Sequence, residues 1–210
     1  MTRTLKSLTL FLFLAPVFAM AIEEPDYQIV DQNETFELRL YSPYIIAEVD
    51  VPGDMSEAGN RAFRILAGYI FGGNAASEKM SMTAPVESSV ASGGEKMAMT
   101  APVTATAASE NGKMTYAFVM ERKYTLDTLP VPNDDQIRIR TVPERMVAVR
   151  RYSGRWTESK YQQNEQSLRS ALQERAIETV GPFILARYNS PMSLPFMRRN
   201  EVMIEVALSD

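Results

Sequence analysis

The sequence contains no cysteine and no histidine among its 210 residues, and these two absences restrict its chemistry. Without cysteine the chain forms no disulfide, so its folded state depends on a hydrophobic core. Without histidine it lacks the commonest transition-metal ligand and the commonest general base. Catalytic triads and dyads that need a histidine or a cysteine are therefore excluded.

Composition and charge are those of an ordinary globular protein. Hydrophobic residues make up 45% of the chain, which at this length is enough to bury one core, so we expect a single domain. The formal net charge is −4 at pH 7. A mildly acidic chain is not built to bind polyanions non-specifically, so we predict no nucleic-acid partner.

The N-terminal segment, residues 1–21, has the organisation of a secretory signal peptide. Arg3 and Lys6 precede an apolar run over 8–18, and an Ala-Met-Ala cleavage site follows that run. The run is shorter than the roughly 20 residues that a membrane-spanning helix needs. We therefore predict cleavage at the end of this segment and a mature domain, 22–210, that is periplasmic or secreted. A membrane is an expected partner only if the segment stays uncleaved.

Two kinds of apolar pattern organise the rest of the chain. Helical spacing predicts one helix from an N-cap at Ser56 to Gly72-Gly73, and another over 157–180 that Gly181-Pro182 stops. Alternating or continuous apolar residues predict strands at 36–40, 45–51, 116–120, 136–142, 146–150, 183–188 and 202–208. The order strand, strand, helix, strand occurs twice. This arrangement predicts an α+β domain in which two helices flank one mostly antiparallel curved sheet or open barrel.

A nine-residue repeat is the most unusual local feature. Residues 78–86 and 95–103 are identical at eight of nine positions, at a spacing of 17. We expect each Met-x-Met-Thr-Ala-Pro segment to be an extended strand that ends at its proline, and Thr104–Gly112 to be a loop. In a strand, Met80 and Met82 lie on one side, as do Met97 and Met99. Such methionine pairs fill a core or line an apolar cleft, and Cu(I) binding through thioethers is an open alternative.

The C-terminal region carries a longer motif. Residues 188–202 read Tyr-Asn-Ser-Pro-Met-Ser-Leu-Pro-Phe-Met-Arg-Arg-Asn-Glu-Val, which resembles the Tyr-Asn/Asp-x-Pro…Arg-Arg-Asn-Glu signature of the SOUL/haem-binding protein family. Met97–Val103 is similar to the family's Met-Thr-(Ala/Val)-Pro segment, and the helix that ends at Gly72-Gly73 has the position of its first helix. The resemblance covers about residues 25–208.

The resemblance implies a fold and a ligand. It implies a distorted, mostly antiparallel β-barrel of two pseudo-repeats flanked by two α-helices, which binds haem or another tetrapyrrole in an apolar cleft beside the first helix. Arg198-Arg199-Asn200-Glu201 also has a simpler interpretation as the organiser of a loop. Because the chain has no histidine, bound iron must use Met, Tyr, Lys or water, or have no protein ligand.

The first helix has a second stripe that suits such a ligand. Phe63, Ala67 and Phe71 lie beside its core-facing residues, with Arg61 and Arg64 at the edge. A tetrapyrrole needs a flat apolar surface and cations for its propionates. We therefore predict a non-enzymatic carrier or scavenger that binds haem or porphyrin non-covalently, at a site formed by Arg61, Phe63, Arg64, Ala67, Phe71, Met97 and Met99. The alternative is that the stripe packs under a loop and the arginines are solvated.

An enzymatic alternative rests on a carboxylate and phenols. Glu201, Tyr41, Tyr152 and Tyr188 are the groups that would transfer protons if they met in an apolar pocket, as in a small hydrolase or isomerase. The simpler interpretation is that Glu201 pairs with a neighbouring arginine, Arg198 or Arg199, near the surface.

Overall fold

The structure is a computed structural model that describes residues 23–53, 55–75, 94–107, 112–189 and 192–207. Its elements are, in chain order, β1 Tyr27–Gln32, β2 Glu37–Tyr41, β3 Tyr44–Pro52, α1 Met55–Ile70, β4 Asn74–Ala75, β5 Val103–Ala107, β6 Lys113–Val119, β7 Val131–Pro132, β8 Arg138–Val142, β9 Arg145–Ser153, α2 Glu158–Glu174, β10 Thr179–Arg187 and β11 Arg199–Val206. The predicted α+β class is confirmed.

Nine of the strands form one curled antiparallel sheet, with the order β1-β2-β9-β11-β10-β5-β6-β3-β8. Every strand pair in this sheet is antiparallel. The strands β1 and β8 are its two edges, so the barrel is open among the described residues. The short strands β4 and β7 form a separate pair.

The sheet order reveals the two halves that the sequence predicts. One half contains β2, β3, α1, β5 and β6, and the other contains β8, β9, α2, β10 and β11. The strands β2, β3, β5 and β6 of the first half correspond to β8, β9, β10 and β11 of the second. Replacing each strand by its counterpart gives the same strand order, read from the opposite edge of the sheet. In each half the first strand pairs with the other half, as β2 with β9 and β8 with β3. This exchange joins the two repeats into one sheet.

Both helices pack on the same face of the sheet, which we call the helix face. The helix α1 lies over β3 and β6, and α2 lies over β9, β10 and β11. Alternate residues of these strands enter one core with the buried side of α1, formed by Ala58, Ala62, Leu66, Tyr69 and Ile70. The opposite surface, the far face, carries smaller apolar clusters and most of the buried charge.

The second helix is shorter than its periodicity predicts. It ends at Glu174, and the residues 179–187, including Gly181 and Pro182, form a strand instead. The amide of Ile177 donates to the carbonyl of Leu172, and Ala176 adopts a positive φ of 52°. This is a Schellman-type ending, in which a left-handed residue directs the chain out of the helix. An alanine rather than a glycine at that position concealed the ending.

The segment after the second copy of the repeat also differs from expectation. Residues 94–102 are irregular, and the strand β5 begins after Pro102 instead of ending there. Part of the predicted loop, Thr104–Ala107, belongs to β5, which pairs with both β6 and β10. A proline cannot donate to a sheet ladder, but it is compatible with the entrance to a strand.

The first copy of the repeat, with Met80 and Met82, lies outside the described residues. Among the helices that the structure describes, none has the length and apolar character needed to cross a membrane.

Candidate functional site

The exposed surface of α1 carries the aromatic stripe that the sequence predicts for ligand contact. Phe63 is 41% exposed and Phe71, just past the helix, is 57% exposed, whereas Ala67 between them is buried. The Phe63 ring packs edge-on against Phe118 of β6, with 5.6 Å between the ring centroids. One side of the stripe therefore packs against the core, and the other side is exposed to solvent.

Cations flank this stripe. Arg61 and Arg64 are both exposed on α1. The Arg64 Nε donates to the carbonyl of Asn60 at 3.4 Å, one turn earlier in the same helix. Both guanidinium groups are thus at the margin of the apolar surface, in contact with solvent.

The two methionines of the second repeat copy have different surroundings. The irregular segment 94–100 passes the end of α1, where the amide of Met97 donates to the carbonyl of Ile70 at 2.9 Å. Met97 is buried in the core at 4% exposure, whereas Met99 is 38% exposed. The expectation that both side chains share one side of a strand is wrong, because this segment is not a strand.

The best-defined polar arrangement lies on the far face and is centred on Glu201. Its carboxylate is fully buried and accepts two hydrogen bonds from Arg39, each at 3.1 Å. The Nε of Arg199 donates to it at 2.9 Å, and the Tyr188 hydroxyl donates at 2.6 Å. The predicted pairing with Arg199 is confirmed, but its predicted position near the surface is wrong. Sequence analysis missed Arg39, because nothing in a local pattern links two residues so far apart in the chain.

The electrostatics of this network favour fixed charges. Burial lowers the pKa of Arg39, but the Glu201 carboxylate outweighs burial and leaves that pKa raised. Burial and the same carboxylate raise the pKa of Tyr188 well above its usual value. Burial also raises the pKa of Tyr41, to about 12. The arginines therefore stay charged and the phenols stay neutral across the physiological range.

The enzymatic alternative uses Glu201 with a tyrosine, and the structure brings two of the three candidate phenols to the Glu201 network. Tyr41 accepts from Arg39 at 3.2 Å and so joins Glu201 and Tyr188. Tyr152 lies on the helix face, where it packs against the core of the two helices. Within the described residues, no three Asp or Glu side chains are grouped so that they could hold a metal ion.

A cavity of about 460 Å³ opens on the far face. Its floor contains the apolar cluster of Ile46, Ala117, Val119 and Val142, and its rim includes Arg138 and Arg140, which both pair with Glu48. The sequence offered no signal for this cavity, since its lining comes from strands of both halves.

Comparison with known families gives a match along most of the chain. The family model described as SOUL heme-binding protein matches residues 22–93 and 89–205. No curated protein matches the sequence significantly.

Solved structures share the fold at low sequence identity. The C-terminal domain of EcmrR aligns with a TM-score of 0.58 at 10% identity, covering 86% of this chain and 98% of that domain. A hydrolase from Listeria innocua aligns with a TM-score of 0.53 at 10% identity, covering 85% of this chain and 94% of its own. These similarities concern the fold and carry no activity across.

Proposed function

This chain belongs to the SOUL heme-binding protein family, and from that membership we propose that it binds haem or a related tetrapyrrole non-covalently on the exposed surface of α1. The proposed site comprises Arg61, Phe63, Arg64, Ala67, Phe71, Met97 and Met99. The protein is proposed to act as a carrier or scavenger.

The observation that carries the proposal is the exposure of Phe63 and Phe71. A solvated helix surface is usually polar, and large exposed apolar side chains that lie together indicate a binding surface. Here the two rings stand 41% and 57% exposed, eight residues apart, with only the buried Ala67 between them on the stripe. A flat apolar ligand would cover both rings and remove them from water.

The surrounding side chains suit the edges of such a ligand. Arg61 and Arg64 supply exposed cations at the margin of the stripe, where propionate carboxylates remain solvated. Met99, at 38% exposure, supplies a polarisable apolar side chain that adapts to an aromatic ligand. The buried Met97 supports the end of α1 from beneath.

A bound haem would bring an iron centre, and the chain offers no histidine or cysteine to hold it. Axial ligation is therefore left to Met, Tyr, Lys or water, or is absent, and recognition depends on the ring and its carboxylates. If no side chain ligates the iron, haem and metal-free porphyrin should bind with equal affinity.

We propose binding rather than catalysis as the function. The candidate carboxylate, Glu201, accepts hydrogen bonds from Arg39, Arg199 and Tyr188, and both of its oxygens are engaged. A carboxylate offers about four acceptor positions, so no position is left for a substrate.

We further propose that residues 1–21 direct export and are removed, so that the mature protein works in the periplasm or outside the cell. This part of the proposal rests on Arg3, Lys6 and the apolar run over 8–18.

The test is a titration of the purified protein with haem, with metal-free protoporphyrin and with Cu(I). Saturable binding of both tetrapyrroles with similar affinity is expected, with weak or no binding of Cu(I). Binding of Cu(I) alone would replace the tetrapyrrole proposal with the methionine alternative. Failure of all three ligands to bind would remove the proposal.

A further inference from the structure

A group of hydrogen-bond donors on the helix face has no acceptor. The Tyr152 hydroxyl and the Trp156 Nε1 are both buried and have no hydrogen-bond partner. The guanidinium of Arg187 lies 5.9 Å from the centroid of the Trp156 ring. Unpaired buried donors cost free energy. Several of them in one place therefore indicate a site for a ligand that accepts hydrogen bonds.

The pairing of the strands places Arg187 and Tyr152 in a single row. Arg187 of β10 is opposite Asn200 of β11, and Asn200 is opposite Tyr152 of β9. The Asn200 amide donates to the carbonyl of Gly154 at 3.1 Å and so fixes the connection that leads to Trp156. The asparagine of the Arg-Arg-Asn-Glu motif therefore positions the donors and is itself occupied.

The charge of Arg187 is not neutralised by any described carboxylate. Arg187 forms no ion pair within the described residues. Burial is the main cause that lowers its pKa, and the nearby Arg198 cation acts in the same direction. A partly buried guanidinium without a counter-ion is unfavourable in the ligand-free protein. An anion would relieve that cost.

We infer that Arg187, Tyr152 and Trp156 form a carboxylate-binding site on the helix face. A carboxylate accepts from a guanidinium through two oxygens and can accept further hydrogen bonds from a phenol and an indole. Each of the three side chains supplies a donor of this kind. The group contains no carboxylate, and its one formal charge is the Arg187 cation, so it favours an anion over a cation.

The position of this site connects it to the proposed ligand. On the other side of Arg187 the same row continues to Val103 of β5 and then to Phe118 of β6, which contacts Phe63. Neighbouring strands are about 4.8 Å apart, so Arg187 lies roughly 10 Å along the sheet from Phe118. This inference rests on the proposed function at one point: a tetrapyrrole against Phe63 would direct one propionate to Arg187.

The experiment compares haem with haem whose propionates are methyl esters, in the wild-type protein and in Arg187→Met. A charge-assisted contact predicts that Arg187→Met weakens haem binding roughly 10- to 100-fold and leaves the affinity for the diester unchanged. Tyr152→Phe should weaken haem binding less and again spare the diester. Arg151→Met is the matched control, because Arg151 is exposed at the neighbouring position of β9 and its side chain points to the far face.

A purely structural role for Arg187 makes a different prediction. If Arg187 only supported the fold, Arg187→Met would lower the thermal midpoint of the ligand-free protein. The carboxylate site predicts an unchanged or higher midpoint, because the substitution removes an uncompensated cation. Equal weakening of both ligands, or of neither, would overturn the carboxylate site and leave haem binding intact.

A separate measurement decides the matter if haem does not bind. Trp156 is the only tryptophan in the chain, so its fluorescence reports on this site alone. Titration with free propionate should then change the fluorescence saturably in the wild-type protein and not in Arg187→Met. The absence of any such change would overturn the inference, whereas its presence would support the site without the tetrapyrrole.

Discussion

Arg39 and Glu201 are 162 positions apart in the chain, and they form a bidentate ion pair with both N–O distances at 3.1 Å. Arg39 is 2% exposed and Glu201 is completely buried. They come from β2 and β11, which do not pair with each other but both pair with β9. The pair thus spans the place where the first strand of one half crosses to the other half.

Glu201→Gln should destabilise the protein strongly. The substitution leaves the guanidinium groups of Arg39 and Arg199 beside a neutral amide in a buried position. Removing one partner of a buried ion pair typically costs about 3 to 5 kcal/mol of unfolding free energy. Urea denaturation followed by circular dichroism measures this loss.

Glu205→Gln is the matched control for that substitution. Glu205 lies on the same strand, but it is 40% exposed and its nearest contact to Arg145 is 3.5 Å. An exposed pair of this kind contributes about 0 to 1 kcal/mol. Similar losses of unfolding free energy in the two variants would show that the buried network stabilises the protein no more than the exposed pair does.

A second pair of substitutions separates a satisfied phenol from an unsatisfied one. The Tyr41 hydroxyl accepts a hydrogen bond from Arg39, whereas the buried Tyr152 hydroxyl has no partner. Tyr41→Phe should therefore lower the unfolding free energy by about 1 kcal/mol, and Tyr152→Phe should leave it unchanged or raise it. Thermal denaturation of both variants makes the comparison, and a larger loss in Tyr152→Phe would contradict it.

The same phenols predict how stability depends on alkaline pH. Burial raises the pKa of Tyr152 from 10.0 to about 12. Between these two values the unfolded chain has released a proton that the folded chain retains. The contribution of this phenol to the unfolding free energy should therefore be fully present below pH 10 and be lost as the pH rises toward 12. Tyr152→Phe should make the resulting fall in unfolding free energy less steep, as measured by denaturation at a series of pH values; an unchanged slope would contradict the burial of this phenol.

How far the sequence predicted this structure depends on the range of the signal. The side of α1 that enters the core and the exposed Phe63 stripe follow from helical periodicity, which is local. The predicted end of α2 was wrong by several residues, because Ala176 occupies a left-handed position where glycine is usual. The strand β5 was missed because its Thr-Ala alternation is weakly apolar, and only its pairing with two neighbours makes it a strand.

The polar sites were less accessible from the sequence than the elements. The motif residues Glu201 and Asn200 were identified, but their partners Arg39 and Gly154 are supplied by distant strands and turns. Arg187 had no local feature that marked it. Arg187 is of interest because it is partly buried without a described carboxylate beside it, and only the packed structure shows this.

Bound ferric haem should give a spectrum without histidine or thiolate features. The chain contains neither residue, and no side chain with an ordinary pKa near neutrality is left to ligate iron. Its absorption spectrum should therefore change little between about pH 6 and pH 8. Electron paramagnetic resonance that showed low-spin iron with two nitrogen ligands would point to lysine or an external ligand, against an open surface site.

Protein isolated from its native host should begin at Ile22. This cleavage keeps Glu23, which accepts from Arg122, and Glu24, which pairs with Arg199 at 2.9 Å. The residues next to the new terminus would thus stay attached to the folded domain. N-terminal sequencing checks the prediction, and an intact Met1 would remove the proposed export or leave an anchored form.

Phe63→Ala provides the sharpest test of where the tetrapyrrole binds. Phe63 is 41% exposed, so in the ligand-free protein its ring contributes mainly through the contact with Phe118. A ligand that stacks on this ring buries the remainder, and complete burial of such a side chain is worth roughly 1.5 to 3 kcal/mol. The exposed 41% of the ring is therefore worth about 0.6 to 1.2 kcal/mol, and the affinity for haem should fall roughly three- to eightfold. The unfolding free energy should also fall, by about 1 kcal/mol, as expected for one aromatic pair.

Two further variants make that result specific. Ile29→Ala removes a side chain of similar exposure, 49%, from the edge strand β1, far from the strands under α1 in the sheet order, and should not change haem affinity. Arg64→Ala removes an exposed cation and should cost about 0 to 1 kcal/mol of binding free energy, less than Phe63→Ala. If Phe63 belonged only to the core, Phe63→Ala would lower stability and leave affinity unchanged. A folded Phe63→Ala protein that binds haem as tightly as the wild type would place the ligand elsewhere than α1.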